Sequence, residues 1–179
     1  MKQIIVVILL AISLPAVAQV KSASLTASGL TCSMCSRAIF KSLEKIPFVQ
    51  KVDANVETSV FTIHFKPGSE VEPDAIKKAV EDAGFSVAEL KITADFNNTE
   101  VTDDAHITLS GMRYHFVHVG RHTLNGNQTL TLLDKNFAPA RQHKEYARYT
   151  TMSCYETGKP LPCCQQGDAA AKRVYHVTL

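Results

Sequence analysis

An α+β fold follows from three features of this sequence: stretches in which every second residue is apolar, stretches in which apolar residues recur at helical spacing, and the order in which the two kinds alternate. From Gln19 to Leu90 the order reads strand, helix, strand, strand, helix, strand. Ala23, Leu25 and Ala27 alternate in the first strand. Cys35, Ala38, Ile39, Ser42, Leu43 and Ile46 then share one face of a helix. Val52, Ala54 and Val56 alternate next, followed by Phe61, Ile63 and Phe65, and Pro67-Gly68 ends that strand. Glu70, Glu72 and Asp74 load the start of a second helix with Pro73 in its first turn. Ile76, Ala79, Val80 and Ala83 form its apolar stripe, and Gly84 stands where a C-terminal cap is expected. A last strand runs from Phe85 through Ala88, Leu90 and Ile92. Two helices on one side of a four-stranded antiparallel sheet share a single core, the ferredoxin-like βαββαβ arrangement.

The polar stretch 91–104, with Asn97-Asn98-Thr99, reads as a linker. Residues 105–179 then read as a small β-rich domain. His106 to Val119 is expected as one long strand, Thr129 to Leu133 as a second and Arg173 to Leu179 as a third, with Leu124-Asn125-Gly126-Asn127 as a turn. A sandwich or a five-stranded OB-like barrel would suit that pattern.

Residues 1–18 read as a secretory signal peptide: Lys2 supplies the charge, Ile4 to Leu14 the apolar run and Ala16-Val17-Ala18 the cleavage signal. Residues 19–90 then begin the mature chain, which is expected in the periplasm or outside the cell, with no membrane span once the signal is removed. A net charge of +2 with scattered basic residues leaves no electrostatic footprint for nucleic acid. No Gly-rich phosphate loop or Ser-His-Asp pattern is present, so no enzyme activity is expected.

The chemistry concentrates in Gly29-Leu30-Thr31-Cys32-Ser33-Met34-Cys35. Two thiolates three positions apart at a loop-to-helix boundary can converge on one soft ion, and the positive end of the helix favours the thiolate form. A thiol with a pKa of about 8.5 is only a few per cent ionised at neutral pH, whereas one lowered to about 6 is roughly 90% ionised. Such a pair suits Cu(I), Hg(II) or Zn(II) over hard cations.

On Gly29, Thr31, Cys32, Cys35 and the Ala83-Gly84-Phe85 turn, residues 20 to 90 resemble a heavy-metal-associated domain, the module of copper chaperones, of metal-pumping ATPases and of the periplasmic mercury-binding protein. The resemblance implies that Cys32 and Cys35 are metal ligands and that Phe85 screens the loop from water. Leu30 replaces the family's usual methionine at little cost in volume. Thr31 is similar to copper and mercury members more than to zinc and cadmium members, which makes Cu(I) the first expectation, with Hg(II) and Zn(II) as alternatives. The implied role is a metal chaperone or buffer that passes its ion to a transporter or efflux protein. Rival readings are a thiol-disulfide oxidoreductase using the same cysteines, and an adaptor whose second domain binds a partner. The thioredoxin-type frame of Trp and Gly-Pro is missing around the pair.

Elsewhere, His115 and His118 in one strand would point to opposite faces, so they and His122 read as ordinary half-buried histidines. His64 reads as solvated. Cys154, Cys163 and Cys164 lie near Met152. In an oxidising compartment Cys154 is expected to pair with one of the adjacent two, a second soft-metal site being the sharper alternative. Arg37, Lys41 and Lys45 form a basic stripe on the first helix, read as a solvated face or a docking surface for an acidic partner.

Overall fold

The computed structural model describes residues 18–30, 33–161, 164 and 173–179; the expected signal segment, Cys32 and Cys163 lie outside the described residues, save for Ala18. The chain order is β1 (Gln19–Ser28), α1 (Ser33–Glu44), β2 (Val49–Asn55), β3 (Val60–Phe65), α2 (Pro73–Asp82), β4 (Ser86–Val101), β5 (His106–Leu109), β6 (Met112–Phe116), β7 (His122–Leu132), α3 (Ala140–Tyr146), α4 (Cys154–Thr157) and β8 (Val174–Thr178). The first six elements reproduce the expected βαββαβ order. Their strands lie side by side as β2-β3-β1-β4, all antiparallel. Leu25 of β1, Ile63 of β3 and Leu90 and Ile92 of β4 are fully buried, as are Ile39 and Leu43 of α1 and Ile76 and Val80 of α2. Burying each such side chain contributes about 1.5–3 kcal/mol. Ala38, expected in the buried stripe of α1, is exposed, and Ser36 is buried in its stead.

The expected linker at 91–104 is not one. β4 runs without a break to Val101, pairing with β1 over Ser86–Asp95 and with β7 over Lys91–Val101. The alternation of Leu90, Ile92, Ala94 and Phe96, all buried, carries the strand onward. Asn97 and Asn98, read as turn residues, sit at a shift of register between Phe96 and Thr99, with Asn98 at φ 42°. An irregularity of this kind absorbs extra residues without ending a strand. Both halves of the chain therefore build one eight-stranded sheet, in the order β2-β3-β1-β4-β7-β8-β6-β5. The second half is β-rich as expected, but its strands extend the first sheet and do not close on themselves as a separate barrel.

Two further expectations change. The long strand from His106 to Val119 is a hairpin, β5 and β6, turned at Ser110 (φ 44°) and Gly111 (φ 81°), the positive pair that a tight two-residue turn requires. Leu124 to Asn127 lie inside β7 and do not form a turn. Ser110 also fastens the halves together: its hydroxyl accepts from the Val20 amide at 2.9 Å and its carbonyl from the Val71 amide at 3.1 Å. Tyr114 and Phe116 of β6 and Tyr175 and Val177 of β8 join the same hydrophobic core as the first-half strands. The opposite face of β6 and β8 carries Arg113, His115 and His176, all buried. No helix among the described residues is long and apolar enough to cross a membrane.

Candidate metal-binding site

α2 ends in a Schellman closure. The Gly84 amide bonds the Glu81 carbonyl at 2.8 Å, the Phe85 amide bonds that of Val80 at 3.1 Å, and Gly84 takes φ 88°. This tight exit delivers Phe85 to the loop after β1, where its Cδ1 lies 3.8 Å from the place a Cβ on Gly29 would occupy. Gly29 itself has φ 84°, which turns the chain away from the sheet and toward α1. Leu30 packs on the core as the loop's anchor, while Met34 is 74% exposed. Cys35 sits in the first turn of α1 and is half-buried. Cys32, its expected co-ligand, lies outside the described residues. Arg37 and Lys41 of α1 and Lys45 in the turn just after it are exposed, without an ion pair to any carboxylate among the described residues. His64 is on the surface beside Asp53, at 3.2 Å.

In the second half, His115 and His118 do part company, though by a different route from strand alternation. His118 follows β6 at φ 56° and stacks on Tyr149 with 3.7 Å between ring centroids. His122 is exposed. His115 is fully buried and meets Cys154, its Nδ1 lying 3.8 Å from Sγ. Cys154 and Cys164 are buried in one cluster with Val174, against which Met152 packs.

Three residues here escaped the sequence reading: His106, Asp104 and His176. His106 is the register partner of His115 across β5 and β6, and His176 is its partner across β6 and β8, so the three imidazoles form one transverse row. His106 and His115 stack with ring centroids 4.5 Å apart. Burial, above all, lowers the pKa of His115 to about 4 and also lowers that of His106, so both rings are neutral at neutral pH. The missed signal was Ser110-Gly111: read as a turn, it folds His106 back beside His115.

Residues 24–86 match the heavy-metal-associated domain. The mercuric transport protein periplasmic component of Pseudomonas fluorescens is 32% identical over 77 residues, which are 43% of this chain and 84% of that protein. Copper-transporting ATPase HMA4 of rice (Oryza sativa subsp. japonica) is 29% identical over 84 residues, 47% of this chain, and the match spans only 8% of the ATPase. Among solved structures, the yeast copper transporter domain Ccc2a is 32% identical, with 36% of this chain and 88% of that chain covered at a TM-score of 0.33. The βαββαβ half, with its glycine-turned loop and Phe85 beside it, thus meets a matching sequence over most of the length of a small periplasmic protein, and this chain belongs to the heavy-metal-associated domain family.

Proposed function

We propose that this protein is an exported carrier of a soft metal ion, Cu(I) first and Hg(II) or Zn(II) as alternatives, held between the thiolates of Cys32 and Cys35. The observation that carries the reading is the position of Cys35: first turn of α1, half-buried, just past a loop that Gly29 bends and whose Gly29 end Phe85 flanks. A thiolate there gains from the exposed amides of the helix start, and the flanking ring limits access of water to one side. The open side matters for transfer. An incoming thiolate can attack the ion and form a three-coordinate bridge, so exchange is fast even when affinity is high.

Export agrees with the reading of residues 1–18 and with the periplasmic relatives, and a transporter or efflux protein is the proposed recipient. The exposed stripe of Arg37, Lys41 and Lys45 beside the loop would favour a recipient with an acidic face. Anaerobic Cu(I), Hg(II) and Zn(II) titrations against a competing chelator test the reading, with Cys154→Ser as the parent in every arm so that only the first site is read. Cys32→Ser or Cys35→Ser should lower affinity for the preferred ion by orders of magnitude and leave the circular dichroism spectrum unchanged. Equal high-affinity binding by the double variant would overturn the assignment.

A further inference from the structure

We propose a second metal site, built by His106, His115 and Cys154, for a copper or zinc ion held by two imidazoles and one thiolate. One ligand atom from each of these residues lies within 4.8 Å of the others, although Cys154 is 39 residues from His115 in sequence. The hydrogen bonds around them decide which ring nitrogens are left with a lone pair to offer a metal. His115 Nε2 lies 2.8 Å from Asp104 Oδ1, and His106 Nδ1 lies 3.0 Å from the Asp104 carbonyl oxygen. Both oxygens can only accept, so both of these ring nitrogens carry the proton and donate. In a neutral ring the other nitrogen then holds a lone pair. For His115 that nitrogen is Nδ1, which faces Cys154 Sγ; for His106 it is Nε2, which is buried without a hydrogen-bond partner among the described residues. Metal-bound histidines are oriented in this way, with the remote N–H given to a carboxylate or a backbone carbonyl.

Asp104 is the positioning residue. It holds both rings, takes φ 61°, and its Oδ1 also accepts from the Thr150 hydroxyl at 2.7 Å. Thr150 Oγ1 in turn accepts from the Met152 amide at 3.2 Å, which binds the cysteine-bearing segment to the same carboxylate. A cation entering the cluster would displace the thiol proton of Cys154, so one S–H bond breaks, one metal–sulfur bond forms and one proton is released. Two imidazoles with one thiolate suit copper and zinc, and exclude hard cations such as Mg²⁺ or Ca²⁺. His176, edge-on to His115 at 5.2 Å between centroids, keeps a buried Nε2 that lacks a partner among the described residues and closes the row on its inner side.

The test uses the full chain carrying Cys32→Ser and Cys35→Ser, so its outcome is independent of the first site. Cu(II) and Zn(II) are titrated separately, with bound metal counted per chain and the Cu(II) form read by absorption and electron paramagnetic resonance. The expected result is one equivalent of one or both ions, with a thiolate-to-copper charge-transfer band and imidazole nitrogen couplings in the copper form. Cys154→Ser should lower affinity at least 100-fold and abolish the band. His106→Gln, on the half-buried edge strand, should lower affinity roughly 10- to 100-fold, a range also expected of Asp104→Ala, with partial rescue by Asp104→Asn, which keeps the accepting oxygen. Metal should shield Cys154 from alkylation, and chelation should restore its reactivity. No bound metal in the parent, a copper form without the thiolate band, or a Cys154 that only a reductant makes reactive would overturn the site.

Discussion

Replacing Ile92 with alanine tests whether the two halves of this sheet stand or fall together. Ile92 is fully buried at the seam, paired with Ala23 of β1 on one side and Leu130 of β7 on the other. Ile-to-Ala changes at buried positions cost about 2–5 kcal/mol, and a fully buried site held between two paired strands collapses little, so a loss of about 3–4 kcal/mol is expected. With a urea slope of about 2 kcal/mol per M, the unfolding midpoint should fall by about 1.5–2 M. The sequence supplies the probes. All five tyrosines, from Tyr114 to Tyr175, lie in the second half, and there is no tryptophan, so fluorescence reports that half alone. Helical circular dichroism is dominated by α1 and α2 of the first half, with 12 and 10 residues. A shared core predicts coincident transitions in the parent protein and an equal shift of both in the variant. Two separate transitions, with only one moved by Ile92→Ala, would refute a single cooperative unit.

In metal-free protein kept with a chelator, His115 should make stability fall with acid. The unfolded ring takes a proton near pH 6.5 and the folded one near 4, so between those values the unfolded state binds more protons and stability drops as pH drops. Urea unfolding at pH 7 and pH 4.5 should show the parent losing about 2.5 kcal/mol more than His115→Gln, and parallel losses would contradict the burial argument. Gly84→Ala should cost about 1 kcal/mol, because φ 88° is the whole difficulty and no atom lies within 4 Å of the added Cβ; thermal unfolding reads it, and an unchanged midpoint would argue against the Schellman closure. Asp134→Ala should cost about 3–5 kcal/mol by the same unfolding assay, since the nearly buried carboxylate accepts from His176 Nδ1 at 2.9 Å and from the His176 amide at 2.7 Å, and a loss under 1 kcal/mol would mean that water replaces it.

The sequence by itself determined what depends on near neighbours. Alternation at Ala23-Leu25-Ala27 and Phe61-Ile63-Phe65, helical spacing at Ile39-Leu43 and Ile76-Val80, and the cap at Gly84 are each written within a turn or a strand, and the structure has them where periodicity put them. Cys35 falls in the first turn of the helix that local spacing predicts, for the same reason. Asn97-Asn98-Thr99 shows the limit. Those residues favour a turn locally, yet β1 and β7 supply partners on both edges of β4, and the hydrogen bonds gained along the ladder outweigh the local preference. The local Ser110-Gly111 turn sets His106 beside His115, but tertiary structure alone completed the row of His106, His115 and His176. It exists because a hairpin and a parallel pairing bring three strands into register, and Cys154 joins it from a segment whose position no local spacing specifies.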